Sequence, residues 1–291
     1  MDGSTHNDDD DKSRGVPLLG GVDDRRYEAL SSIGLTSSQG LPSLRKLIIK
    51  RCDGLSALPS WIENCTSLEL LEVYRWGNLA TISFTRVLPS LRKLEVWNCD
   101  NLSCLAVPEY CQELSVSRCP KLPSITFSTD LNPCLEDLRI EHCNGLQSLP
   151  DFRSFTSLRY LRLGPFREDL DSFPDFQVPS QQLVSLRLIG WPKLKSLPQQ
   201  VQHLTSLTRL TIWSFEGVET LPEWLGNLAS LVELHIWECD NLKYLPSLEA
   251  MQRLTKLQLL YVFRCPLLKE RCTEDSGEEW PKISHIPLFI D

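Results

Sequence analysis

Ten times along the chain the frame L-x-x-L-x-[IVL]-x-x-[C/aromatic]-x-x-L-x-x-L returns, and this recurrence limits the possible folds more than any other property of the sequence. Its first position falls at Leu44, Leu68, Leu91, Cys111, Leu135, Leu158, Leu183, Leu207, Leu231 and Leu257, in steps of 24, 23, 20, 24, 23, 25, 24, 24 and 26 residues. A unit of this length cannot bury a core by itself, so each must pack on the next. A fixed short period therefore predicts one elongated solenoid rather than two compact domains.

Within each frame the apolar fourth and sixth positions alternate with variable third, fifth and seventh positions, the period of a strand with one buried face. The fourth is Leu47, Leu71, Leu94, Leu114, Leu138, Leu161, Leu186, Leu210, Leu234 and Leu260. Eight of the ten sixth positions are valine or isoleucine, which favours strand over helix. Turn-forming pairs follow the ninth position, among them Asp53-Gly54, Gly77-Asn78, Asp100-Asn101, Asn144-Gly145 and Asp240-Asn241. Six frames then close on proline, at Pro59, Pro150, Pro174, Pro198, Pro222 and Pro246, before stretches such as Pro59–Cys65 with apolar residues three apart. These read as single 3₁₀ or α turns on the outer face. The frame is that of leucine-rich repeats. It predicts an α/β solenoid, a horseshoe or arc of about ten coils, with a parallel β-sheet on the concave face and loops and short turns on the convex one.

Residues 41–268 carry the array, and 269–291 read as a closing cap whose polar outer residues shield the open end. Asp8-Asp9-Asp10-Asp11-Lys12 matches an enterokinase site, so 1–14 read as an expression tag, with 15–40 a lead-in segment or degenerate repeat. The net charge is -8, but with the five aspartates and one lysine of residues 1–12 set aside, 29 basic groups face 33 acidic ones. That near balance argues against general nucleic-acid affinity. Six of the eleven cysteines occupy the ninth position (Cys52, Cys99, Cys119, Cys143, Cys239, Cys265) and read as buried reduced thiols, which favours a cytoplasmic protein. Two sequons, Asn64-Cys65-Thr66 and Asn101-Leu102-Ser103, point the other way with less weight. No apolar run is long enough to span a membrane, there is no C-x-x-C pair, and no phosphate loop, nucleophile elbow or H-E-x-x-H helix occurs. The expectation is a non-enzyme with neither cofactor nor metal.

Function, then, is sought on the displayed columns. The fifth position places Arg139, Arg162 and Arg187 on adjacent strands, with Arg209 nearby in the third column, an arrangement that suits an acidic partner. The seventh gathers Tyr74 and Trp97 near one end and Trp213, Trp237 and Phe263 at the other, beside His235 and Tyr261 of the fifth. Large aromatics on an open face are the usual anchors of a binding surface. Two plainer readings stand beside these: the aromatics stack on one another, and Asp137 and Glu141 neutralise the arginines.

The run from Leu44 to Pro59, with cysteine at nine and Leu-Pro closing the coil, resembles the repeats of plant intracellular nucleotide-binding leucine-rich-repeat immune receptors. The ending, Cys265-Pro-Leu-Leu-Lys-Glu-Arg-Cys272 and then Gly277-Glu-Glu-Trp-Pro-Lys-Ile-Ser-His-Ile-Pro287, is similar to the carboxyl terminus of their coiled-coil class. The resemblance covers residues 41–291. It implies a recognition and autoinhibition module whose partner is a pathogen effector, a modified host protein or the receptor's own nucleotide-binding domain; that domain and its phosphate loop are not in this sequence. Two other readings stay open: the repeats of an F-box-type ubiquitin-ligase adaptor, which also favour cysteine at nine, and a secreted leucine-rich-repeat receptor or inhibitor ectodomain.

Overall fold

The computed structural model describes residues 41–52, 54–127, 134–177 and 182–291. The proposed tag and lead-in segment, and Asp53 of the first turn pair, lie outside them. Each repeat frame contributes one short strand: β1 (Lys46–Lys50), β2 (Leu70–Tyr74), β4 (Lys93–Trp97), β6 (Glu113–Ser117), β8 (Asp137–Glu141), β9 (Tyr160–Leu163), β10 (Ser185–Ile189), β11 (Arg209–Trp213), β12 (Glu233–Trp237) and β13 (Leu259–Phe263). They pair in parallel in chain order, and β14 (Leu288–Ile290) adds an eleventh strand beside β13. Register never slips, so Leu71 faces Leu94, which faces Leu114, and every column keeps its frame position through the stack. A one-residue slip would turn each leucine to solvent, and this holds the register.

The fourth-position leucines are buried from Leu71 to Leu260, whereas Leu47, on the strand at the end of the sheet, is only half-buried. All ten ninth-position side chains are buried as well. Each of the six cysteines among them aims its thiol at the carbonyl of its own seventh residue, at 3.3–3.6 Å. Where the column carries tryptophan instead, the indole reaches back one coil: Trp76 Nε1 donates to the Leu55 carbonyl at 2.9 Å and Trp191 Nε1 to that of Leu170 at 2.6 Å. The thiols and indoles of this buried column thus each find a backbone oxygen, while Phe166 and Phe215 in the same column have no donor to satisfy.

Between strand and core the chain passes through a left-handed residue at the eighth position. Arg51, Arg75, Asn98, Arg118, His142, Ser214, Glu238 and Arg264 have φ between 51° and 54°, a region that costs a non-glycine residue about 1 kcal/mol or more. The twist aims the backbone N–H at the seventh carbonyl of the next coil, as in Arg75 to Trp97 at 2.9 Å and Glu238 to Phe263 at 2.9 Å. These inter-coil bonds hold the strained residue in place.

The outer face departs from the expectation of turns throughout. Five coils do carry short turns: 3₁₀ segments at Ser60–Asn64, Phe152–Ser154, Gln199–His203 and Glu223–Asn227, and helix α1 (Leu248–Gln252), capped by Ser247. Coils two to four instead add a second parallel sheet from β3 (Thr81–Ile82), β5 (Cys104–Val107) and β7 (Ile125–Phe127). The cause is one residue. Where coils one and five to nine have proline after the second leucine pair, these have Ser83, Ala106 and Thr126, and Ala106 and Thr126 pair with each other in the ladder, a place proline could not fill as a donor. The carboxyl-terminal cap folds as α2 (Pro266–Arg271), α3 (Trp280–Ile283) and β14. It is latched by Glu279, a buried carboxylate that accepts the Leu245 N–H at 2.8 Å and Lys282 Nζ at 2.7 Å.

Candidate recognition face

Seven coils, from Trp97 in the third to Glu238 in the ninth, line a single hollow of about 570 Å³ on the eleven-stranded sheet, which makes this face concave. The columns predicted from the frame stand on it. Their neighbours decide what each side chain has to offer.

Arg139 is engaged by Asp137, with Nε 3.1 Å from Oδ1 and Nη2 on Oδ2. Arg209 forms a two-point pair with Glu233, at 2.6 and 2.8 Å, and His235 Nε2 lies 3.1 Å from the same carboxylate. The Arg209 bonds, with a smaller contribution from His235, hold the Glu233 carboxyl down at about 2. Arg187 lies over two indoles, 5.7 Å from the ring centre of Trp213 and 5.6 Å from that of Trp237, a cation–π arrangement. Arg162, flanked by Arg139 and Arg187 in the sheet, has no hydrogen-bond or ion-pair partner among the described residues. Burial, and then the Arg139 cation, push its pKa below the ordinary arginine value. The same causes act on Arg187, with Arg162 as the neighbouring cation. Of the four predicted arginines, one is uncommitted.

The aromatic residues do stack on one another. Trp213 and Trp237 meet edge to face at 5.8 Å, Trp237 meets Phe263 at 6.4 Å, and Tyr261 lies parallel to Phe263 at 6.2 Å. Trp213 and Trp237 are half-buried in this cluster, while Phe263 is 40% exposed. Trp213 Nε1 donates to Glu238 at 2.8 Å, whereas Trp237 Nε1 is buried without an acceptor. At the other end Tyr74 lies under Lys50, 4.5 Å from its ring centre, and Trp97 is 40% exposed with its indole N–H 3.3 Å from the Ser115 hydroxyl. Glu72 and Glu95, fifth-position carboxylates near that end, are paired with Lys46 and Lys93 at 3.0 Å.

Two groups of display residues escape a reading confined to columns three, five and seven. The eighth column turns outward because of its positive φ, bringing Arg118, His142 and Glu238 to the hollow. Burial, and next the Arg118 cation, lower the His142 pKa, so this imidazole is neutral at pH 7. Strand β14 extends the apolar end with Leu288 and Ile290, which pair with Leu259 and Tyr261. The first group had a signal in the repeated polar residue at position eight; the second had only the apolar Leu288-Phe289-Ile290 run.

Chemically the face is a display surface. Among the described residues no group of three or more histidine, cysteine or acidic side chains is placed to hold a metal, and no helix is long and apolar enough to cross a membrane. The architecture is that of a repeat solenoid that presents side chains on one sheet. A family model for the leucine-rich repeat region matches residues 132–279, half of the chain, and the protein belongs to that family. Among solved structures it is similar to the leucine-rich repeat domain of the type III effector XopL, with 19% identity and a TM-score of 0.54 over 94% of this chain and 84% of that one. At that identity the likeness is one of fold. An internalin from Listeria monocytogenes is 17% identical over 93% of this chain and 82% of its own, with a TM-score of 0.39. No curated protein sequence matches the chain.

Proposed function

We propose that this leucine-rich-repeat protein is the recognition and autoinhibition module of a plant intracellular immune receptor, detecting a pathogen effector or a modified host protein. The observation that carries recognition is the concave sheet itself, with a hollow lined by seven coils and a stacked aromatic end. The plant-receptor assignment is supported by the Cys-at-nine, Leu-Pro frame and by the ending from Cys265 to Pro287, which here folds into a cap that closes the array. In this reading the module works in the cytoplasm, has no turnover and needs no cofactor; saturable ATP or ADP binding by calorimetry would argue against it.

Two further observations favour a reducing compartment. The ninth-position cysteines are all free and buried, and the Asn101 side chain is engaged at both ends, its nitrogen donating to the Gly77 carbonyl at 2.7 Å and its oxygen accepting from Lys121 at 2.6 Å. The F-box adaptor remains the second reading, since its repeats share the cysteine column. An F-box encoded upstream would favour it, and a nucleotide-binding domain there the first.

The test uses the full-length receptor. Arg139, Arg162 and Arg187 replaced together by Glu, or Trp213 and Trp237 replaced by Ala, are expected to abolish the effector response or to cause spontaneous activation. Loss of response identifies the face with the effector, and spontaneous activation with the switch domain. The triple arginine change points away from the leucine core but breaks the Arg139–Asp137 pair and the Arg187–indole contacts, so its melting temperature falls by a few degrees without loss of the fold. The tryptophan pair packs on Phe263, so its melting temperature falls by a few degrees. Normal signalling and normal partner recovery in both variants would reduce the face to a solvated surface.

A further inference from the structure

We propose that the hollow between Trp97 and Trp213 receives a carboxylate side chain from an acidic segment of a protein partner, with Arg162 as the group that binds it. This rests on the display-face reading above and names the chemistry of its partner. Short residues, Ser115 and Ser117 on β6 and Gly190 after β10, leave room in the hollow between the two indoles. A Cβ at Gly190 would lie 2.7 Å from the Phe215 ring and 2.9 Å from the Ser214 carbonyl oxygen, so that position is held without a side chain.

Arg162 lines this hollow and has no hydrogen-bond or ion-pair partner among the described residues, whereas Arg139 and Arg187 beside it are engaged by Asp137 and by two indoles. Its guanidinium therefore keeps its fork of donors for an incoming anion, and fork-to-fork pairing with a carboxylate is its preferred geometry. The charge fits a single negative group. Three arginines and two glutamates line the hollow, with His142 neutral, which leaves one positive charge uncompensated. A dianionic phosphate would overshoot that charge and face Glu141 and Glu238. Trp97 supplies an apolar wall against which the methylenes of a glutamate side chain can lie.

The experiment titrates the 291-residue chain by calorimetry with three blocked tetrapeptides: tetraglutamate, tetraglutamine and tetraphosphoserine. Tetraglutamate is expected to bind, more weakly as salt rises, and tetraglutamine not to bind. Arg162→Gln is expected to weaken tetraglutamate at least about tenfold with unchanged melting, and Arg162→Lys to keep part of the affinity because it keeps the charge without the fork. Arg153→Gln, an exposed arginine paired with Asp151 on the outer side, is expected to leave binding unchanged. Equal binding of tetraglutamate and tetraglutamine, no loss in Arg162→Gln, or preference for tetraphosphoserine would each overturn the proposal. Its failure is distinguishable from failure of the display-face reading: if the peptides do not discriminate but Trp213→Ala/Trp237→Ala abolishes the receptor's response, the face is a recognition surface and the carboxylate site is wrong.

Discussion

The cysteines show how a side chain's role is set by depth rather than by type. Cys111 and Cys272 are fully buried, and burial pushes each thiol up to about 12. In the column Cys99–Cys119–Cys143, hydrogen bonding from Cys143 and Cys99, then burial, drives the Cys119 thiol up as well. Cys104, exposed on β5, has no such protection. Timed alkylation read by mass spectrometry is therefore expected to label Cys104 within minutes and the six ninth-position cysteines only on unfolding; a reductant-dependent gain of label on those six would show disulfides instead. A pH effect follows from Cys111. Below about pH 9 its thiol is protonated in folded and unfolded chains alike, and its contribution to stability is complete. As pH rises from about 9 towards 12 the unfolded thiol ionises and the folded one does not, so stability falls, by at most about 4 kcal/mol. Urea unfolding of Cys111→Ala should show a shallower alkaline fall than wild type, whatever its stability at pH 7. Equal slopes would mean that this thiol is not the titrating group.

At the scale of the element, eight of the ten coils turn their corner on a left-handed eighth residue, and none of the eight is glycine. Arg75 has φ 54° and donates its N–H to Trp97 in the next coil. A β-branched residue tolerates this region worst, so Arg75→Val is expected to lose about 1–2 kcal/mol in urea unfolding, while Arg75→Asn or Arg75→Gly stays within about 0.5 kcal/mol of wild type. Equal losses for valine and asparagine would mean that the arginine side chain, not the backbone, matters there. The choice between outer turn and outer strand has an equally local origin. Proline at 59, 150, 198, 222 and 246 precedes a turn, and its absence at 83, 106 and 126 lets a second sheet form.

Over the whole molecule, contacts run only between neighbouring coils, so the ends govern its integrity. The carboxyl-terminal latch depends on Glu279, whose loss would strand Lys282 and leave the Leu245 N–H without its acceptor. Glu279→Ala is therefore expected to cost about 3 kcal/mol locally. Hydrogen exchange should show the damage confined to β13, β14 and the preceding coil, with protection at β4 to β8 unchanged. Uniform loss of protection would mean that the array unfolds as one unit. In contrast, Leu138→Ala in the middle of the stack removes a fully buried side chain, is expected to cost about 3 kcal/mol, and should affect both halves.

The sequence by itself determined the stack. Apolar residues at fixed spacing permit only one register in which every leucine is buried, so the parallel sheet, the buried fourth and ninth columns and the outward display of columns three, five and seven all follow from period and alternation. It also named most of the residues on the face, because strand geometry assigns each to a side. Which of them is available was decided by tertiary structure alone. Arg139, Arg162 and Arg187 hold equivalent positions in three successive frames, yet one pairs with Asp137, one lies over two indoles and one has no hydrogen-bond or ion-pair partner among the described residues. Those differences come from variable residues, Asp137 on the same strand and the indoles one and two coils on, and from the left-handed corner that turns the eighth column out onto the face; the periodicity of the apolar positions carries no information about either.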